Sequence, residues 1–199
     1  MPSPPSGWDH LPMTDLARLG FASVDDPDEP GAWKRDLTLD DVGAEEALTD
    51  ASVAWDVHSA PMWDAPAYLA SLLGTGPSVV EDLPPGRIAL LMCTACGDPY
   101  CGFVAADLVI TQDRVLWTGV RFEWPPGMWE SAPSGITRWM RRLLGRERPE
   151  DLEPWAAETD PVHEDLVFDR VQYEAAVRRE IARSTDPGAG SAAPEAPRE

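Results

Sequence analysis

The chain has 199 residues, of which 43% are hydrophobic and nine are tryptophan, which is enough material for one domain with a real core. Its 16 basic and 35 acidic residues give a formal net charge of -19 at pH 7. That charge repels nucleic acid phosphates and anionic lipid, so neither is an expected partner. It attracts basic proteins, peptides and metal cations. The alternative is that the charge only keeps the protein soluble.

The sequence predicts a cytoplasmic protein. Its opening stretch, MPSPPSGWDHLPMTDLARLG, contains neither a basic leader region nor an apolar segment, and no later stretch is apolar over the length needed to cross a bilayer. The three cysteines are odd in number and lie within nine residues, unlike the framework of bridges in secreted domains. We therefore expect reduced thiols or a metal site.

The chain is expected to begin with a flexible arm over residues 1–30, because this stretch is rich in proline, aspartate and glycine. A single α+β domain is predicted over residues 31–184. Residues 25–50 carry ten acidic side chains against Lys34 and Arg35, which makes them the most negative surface of the chain.

A strand and a helix are predicted early in this domain. The strand covers residues 52–58, where apolar and polar side chains alternate up to His58. The helix begins after Asp64 as N-cap and stops at Gly74. Its apolar stripe requires a sheet to pack against and consists of Tyr68, Leu69, Leu72 and Leu73.

Three further strands predict a small antiparallel meander. They cover residues 87–93, 103–110 and 115–124. Residues 111–114 are expected to form a tight hairpin between the last two strands. The turn between the first two strands holds all three cysteines.

The remainder of the chain is predicted to contain an irregular insertion, a final helix and a tail. The insertion, residues 125–165, is rich in proline apart from a short basic helix over 136–144. Residues 185–199 should form a disordered tail. These elements predict an α+β fold, a small antiparallel β-meander with two or three packed helices and disordered tails.

Asp169 is the expected N-cap of the final helix. Charged residues four positions apart predict an exposed ladder of charges on one side of this helix, and apolar residues predict a buried face on the other. The ladder is Arg170, Glu174 and Arg178, and the apolar face is Tyr173, Ala176, Val177 and Ile181.

The most specific chemical motif in the sequence consists of Cys93, Cys96 and Cys101. Cys93-Thr94-Ala95-Cys96-Gly97 has the spacing of a zinc knuckle, in which two thiolates face one metal and glycine admits backbone N–H groups near the sulfurs. A structural zinc has four ligands, so Cys101 is the predicted third. His58 is the preferred fourth, because its strand can pair beside the first cysteine strand. Zinc is the one cofactor for which the sequence offers ligands.

Other interpretations of the cysteines stay open, and His163 and Asp98 are alternative fourth ligands. A thioredoxin-like site needs a helix that begins at the second cysteine, whereas Gly97-Asp98-Pro99 favours a turn. Redox chemistry would then rest on exchange between cysteine pairs, with Cys101 as the resolving thiol. Alternatively, all three cysteines are compact apolar residues that fill the corner of the hairpin.

The string RIALLMCTACGDPYCGFVAADLVI, together with the later FDRVQYEAAV, resembles a family of uncharacterised bacterial proteins. In that family a strand ends in a Cys-x-Cys or Cys-x-x-Cys-Gly turn, followed by a further Cys-Gly, a hairpin with tryptophan and a closing Phe-Asp-Arg-x-x-Tyr-Glu helix. The likeness covers residues 87–124 and 167–177. It implies a shared fold in which the cysteine turn and the last helix belong together, and it implies no activity.

The sequence favours a noncatalytic function, because it contains no nucleophile elbow, phosphate-binding loop or zinc-protease motif. We expect an acidic interaction protein, of the inhibitor or immunity type, that binds a basic protein through residues 25–50. The alternative is a small zinc-binding or thiol-redox protein that uses Cys93, Cys96 and Cys101. The arginine-rich segment 138–148 is interpreted as pairing with the chain's own carboxylates, with partner binding as its alternative.

Overall fold

The computed structural model describes residues 16–25, 33–48, 57–59, 65–80, 83–93, 102–124, 156–157 and 163–185. In these segments the chain forms two antiparallel sheets and three helices, which confirms the predicted α+β fold. The predictions for residues 1–15 and 26–30 of the arm, for residues 186–199 of the tail, for the helix at 136–144 and for the N-cap Asp64 concern residues outside these segments.

The first sheet has three strands in the order β1-β2-β3, which span Leu19–Asp25, Trp33–Leu39 and Val42–Gly43. β1 and β2 are antiparallel, with Leu19 opposite Leu39 and Phe21 opposite Leu37. A short helix, α1 (Ala44–Leu48), follows β3 directly.

β1 lies inside the stretch predicted as a flexible arm, and the structure corrects that prediction for residues 19–25. Leu19 is only 2% exposed and belongs to the main hydrophobic core. Gln172 holds its backbone from the far end of the chain, since Leu19 N donates to Gln172 Oε1 at 3.3 Å and Gln172 Nε2 donates to the Leu19 carbonyl at 2.7 Å. The polar composition of the arm concealed this strand, because the residues that cover it come much later in the sequence.

The second sheet has six strands within the described segments. β4 to β8 lie side by side in chain order, and β9 also pairs with β7. The six strands span Val57–Ser59, Arg87–Cys93, Phe103–Ile110, Arg114–Trp124, Ala156–Ala157 and Leu166–Asp169. β5, β6 and β7 form the predicted meander. The predicted hairpin is also confirmed, because Thr111 N donates to the Arg114 carbonyl at 2.9 Å and Arg114 N donates to Thr111 Oγ1 at 3.0 Å.

Helix α2 (Ala65–Leu72) packs its apolar stripe into the core and stops near the predicted residue. Gly74 has a φ of 63°, in the left-handed region that glycine adopts without strain and that commonly ends a helix. None of the helices in the described segments is both long and apolar enough to cross a membrane.

Helix α3 (Arg170–Ser184) confirms the predicted cap and ladder. Asp169 Oδ1 accepts from Gln172 N at 2.8 Å. Arg170 Nε and Arg178 Nη2 donate to the two carboxylate oxygens of Glu174 at 2.6 and 3.1 Å. The opposite face is apolar, and its buried members are Tyr173, Ala176 and Val177.

A buried hydrogen-bond chain joins β7 to α2 and α3. Trp117 Nε1 donates to the Tyr173 hydroxyl at 3.1 Å, and this hydroxyl donates to the Leu72 carbonyl at 3.0 Å. Phe168 packs edge-on against Trp117, with ring centroids 4.9 Å apart. Burial raises the pKa of Tyr173 well above its ordinary value, so the phenol stays neutral and keeps its proton for this bond.

Replacing Asp169 with alanine should lower the free energy of unfolding by about 1 kcal/mol, because the N–H of Gln172 loses its acceptor. Urea denaturation followed by tryptophan fluorescence measures the change. Asp169→Asn is the matched control, since asparagine caps helices as well as aspartate does. An equal loss in both variants would assign the effect to the ion pair between Asp169 and Arg114 instead of the cap.

Candidate functional site

The backbone brings two of the four predicted zinc ligands to adjacent strand positions. Cys93 is the last residue of β5, and β4 pairs with β5 so that Val57 lies opposite Cys93 and His58 lies opposite Met92. The predicted pairing of the His58 strand beside the first cysteine strand is therefore confirmed. Cys96 and Cys101 lie outside the described segments, so zinc binding itself stays a prediction.

The predicted metal site includes residues of the cysteine turn, 94–101, which lie outside the described segments. Among the residues that the structure describes, no group of three or more histidine, cysteine, aspartate or glutamate side chains is placed to hold a metal ion. His163, one alternative ligand, has its Nδ1 at 2.7 Å from the Glu164 carbonyl oxygen. Asp98, the other alternative, lies within the turn and outside the described segments.

Gly102, which follows Cys101 directly in the sequence, lies close against β7. It is buried, with a φ of 98°. A Cβ atom placed here would overlap the Phe122 ring, at 2.7 Å from Cζ, and would lie 3.1 Å from the Glu123 carbonyl oxygen. Only glycine fits this close approach of two backbones. The Cys-Gly dipeptide was the signal for this feature in the sequence, but the partner across the sheet was not apparent.

Glu123 lies in the same transverse row of the second sheet as His58. The row runs through successive cross-strand pairs, His58 with Met92, Met92 with Phe103 and Phe103 with Glu123. Three strand spacings separate its ends, roughly 14 Å. Glu123 is therefore too far from His58 to complete the same metal site.

A buried ion pair in this sheet was missed in the sequence. Arg87 Nη2 lies 2.6 Å from Glu123 Oε1, and the two side chains are only 4% and 2% exposed. Arg87 Nη1 also lies 2.9 Å from a carboxylate oxygen of Asp107, which is half exposed. The available signal was an arginine at the start of the apolar strand RIALLMC and a glutamate inside VRFEW. Their contact depends on the register of three strands.

Burial dominates the electrostatics of Glu123. Loss of solvation raises the pKa of its carboxyl, while the charges of Arg87 and Arg121 act in the opposite direction and lower it less. Arg121 Nε lies 3.5 Å from the same oxygen, Oε1, that Arg87 contacts. Since Arg87 and Glu123 are both almost fully covered, we assign the pair to the stability of the fold and not to contact with a dissolved substrate.

Part of the predicted acidic surface forms a feature that we call the acidic edge, residues 40–46. Its carboxylates are Asp40, Asp41, Glu45 and Glu46. The two aspartates turn the chain from β2 to β3 with φ values of 52° and 68°, a left-handed conformation that aspartate tolerates better than most residues. The two glutamates lie in the first turn of α1.

Arg18 braces the turn of the acidic edge. Its backbone N–H donates to Asp40 Oδ1 at 3.0 Å, and its Nη2 donates to Asp41 Oδ2 at 2.7 Å. Asp40 N in turn donates to the Arg18 carbonyl at 2.9 Å. Asp40 and Asp41 are therefore held in a defined turn at the end of the first sheet.

Comparison of the chain with known protein families, with curated proteins and with solved structures finds no match. The resemblance based on the cysteine hairpin and the Phe-Asp-Arg-x-x-Tyr-Glu helix stays a prediction, and the function is argued from the surfaces of this chain alone.

Proposed function

We propose that this chain is a noncatalytic interaction protein, of the inhibitor or immunity type, that binds a basic protein through the acidic edge. The observation that carries the proposal is the exposure of the edge. The side chain of Asp41 is 82% exposed and that of Asp40 is 58% exposed, and Glu46 is exposed as well. Val42 lies among them and is 39% exposed. A basic partner would meet charge and apolar surface together.

Among the residues that the structure describes, the ion pairs of the arginines do little to cancel the charge of Asp40 and Asp41. The pairs of Arg18 with Asp40 and Asp41 are so exposed that each contributes between zero and about 1 kcal/mol. Several other arginines are engaged elsewhere in the fold: Arg35 pairs with Glu180, Arg87 with Glu123, and Arg170 with Glu174. The edge therefore keeps a field that speeds the capture of a cationic surface.

Neutralising the edge with Asp41→Asn and Glu46→Gln should weaken the binding of a basic partner at least about tenfold. Immobilised wild-type protein is exposed to a cell extract and eluted with rising salt. A basic protein that is retained and released by salt is then purified, and its Kd is measured for the wild type and the variant by calorimetry. Asparagine is chosen at position 41 because it adopts the left-handed conformation.

The matched control is Asp113→Asn with Glu164→Gln, which changes the net charge equally at exposed positions outside the edge. It should bind like the wild type. The proposal fails if no basic protein is retained in a salt-sensitive manner, or if the control pair weakens binding as much as the edge pair does.

A small zinc-binding or thiol-redox protein that uses Cys93, Cys96 and Cys101 is the second candidate. It is favoured by the zinc-knuckle spacing of Cys93 and Cys96 with Cys101 close behind. The register of β4 and β5 does not favour His58 as the fourth ligand, because His58 pairs with Met92 and is one alternating position away from Cys93. Metal analysis of protein purified without a histidine tag, together with thiol titration before and after mild oxidation, tests it. Bound zinc that is lost in Cys96→Ser would support a metal site, and a reversible loss of thiols would support redox chemistry. If neither bound zinc nor a reversible loss of thiols is found, the cysteines are packing residues.

A further inference from the structure

A groove of about 510 Å³ lies between β1 and α3, where four arginines converge. Arg18 is on the β1 side, Arg35 comes from β2, and Arg179 and Arg183 come from α3. The carboxylates that line the same groove are Asp41 and Glu180. Four of the 16 basic residues of a chain with a net charge of -19 thus line one cavity, where arginines outnumber carboxylates two to one.

Arg35 and Glu180 form the rigid wall of the groove. Arg35 Nε and Nη2 donate to the two carboxylate oxygens of Glu180 at 3.0 and 2.8 Å. Arg35 also donates through Nη1 to Ser23 Oγ at 3.0 Å and through Nη2 to the Phe21 carbonyl at 2.8 Å. This bidentate pair ties α3 to the first sheet and fixes the width of the groove.

Among the described residues around Glu180, arginines outnumber carboxylates. Arg183 Nε shares Glu180 Oε1 with Arg35, at 3.4 Å, so one carboxylate serves two guanidinium groups. Arg179 is exposed and makes no ion pair with any residue in the described segments. No residue of the described segments occupies its five N–H donors, which suit an anion that enters the groove.

The rest of the lining is suited to the carbon body of a ligand. Phe21, Ala22 and Ala176 contribute apolar surface, while Thr38 and Gln172 add hydrogen-bonding groups. A cavity of about 500 Å³ is in the range of sites that bind small organic molecules, and it is much larger than a bare inorganic ion requires.

We infer that this groove binds a small organic anion, whose phosphate or carboxylate is held by Arg179 and whose body lies against β1. Arginine forks match the geometry of both oxyanions. The groove borders the acidic edge, because Asp41 belongs to both, but Arg179 is on α3 and is not part of the edge.

Three probes with one common body test the inference: 2-naphthyl phosphate, 2-naphthoate and the neutral 2-naphthol. Saturation-transfer NMR and calorimetry on the full chain should detect saturable binding of at least one of the charged probes and none of 2-naphthol. Which charged probe binds more tightly identifies the oxyanion. Arg179→Gln should weaken this binding about tenfold or more.

Arg178→Gln is the matched control, because Arg178 is the preceding residue of α3, is 64% exposed, and contacts Glu174 instead of the groove. It should leave the Kd within about twofold of the wild-type value. The inference is overturned if neither charged probe binds saturably, if 2-naphthol binds as tightly, or if Arg178→Gln weakens binding as much as Arg179→Gln. These outcomes do not depend on whether the acidic edge binds a basic protein.

Discussion

Replacing Glu123 with leucine is expected to lower the free energy of unfolding by about 3–5 kcal/mol, which is the largest effect we expect of a single substitution in this chain. Arg87 is 4% exposed and its closest ion-pair oxygen belongs to Glu123. A guanidinium group cannot lose its proton in a protein, so the variant leaves a buried charge with only the half-exposed Asp107 beside it.

Replacing both partners tests whether the uncompensated charge causes this loss. The double variant Arg87→Met with Glu123→Leu removes both charges and keeps apolar volume, so it should recover most of the stability lost in Glu123→Leu. Urea denaturation at neutral pH, followed by the fluorescence of the tryptophans, gives the three free energies. If the double variant is as unstable as Glu123→Leu, the loss arises from packing and not from the charge.

A partly exposed set of ion pairs provides the comparison. Glu174→Gln breaks the contacts with Arg170 and Arg178 on the outer face of α3 and should cost no more than about 1 kcal/mol. The difference between the two carboxylates follows from solvation, because water replaces a lost partner at position 174 but has little access to the neighbourhood of Arg87.

Gly102→Ala should destabilise the chain by about 2–5 kcal/mol, the second largest effect that we expect. The glycine has a φ of 98°, and an added Cβ would overlap the Phe122 ring. Backbone strain and overpacking therefore act together, and both would displace β6 from β7 at the end of the cysteine turn.

Gly86→Ala is the control that separates these two effects. Gly86 has nearly the same φ, 92°, but no atom lies within 4 Å of the position of its Cβ. It should lose only the strain contribution, about 1–2 kcal/mol. Thermal and urea unfolding give the free energy of unfolding of the two variants. If both lose the same amount, the contact with Phe122 has no measurable cost.

Much of the second sheet and of α3 could be predicted from the sequence, because the signals are local. The meander follows from apolar strands separated by turn residues, and the cap of α3 follows from Asp169 in front of a helical pattern. The ladder of Arg170, Glu174 and Arg178 needs only the spacing of one helical turn. The spacing of the cysteines is also a local signal, but residues 94–101 lie outside the described segments, so the turn stays a prediction.

The sequence by itself thus determined the class of fold, the three-stranded meander and the cap of α3, since each depends on residues that are neighbours along the chain. Only the tertiary structure decided that part of the predicted arm is a strand, that Arg87 meets Glu123, and that four arginines share a groove. These features join residues far apart in sequence; Arg35 and Glu180, for instance, are separated by 145 positions. Charge and hydrophobic patterns can be recognised in a short stretch of sequence. Two side chains distant in sequence form an ion pair only when strand register and helix packing bring them into contact.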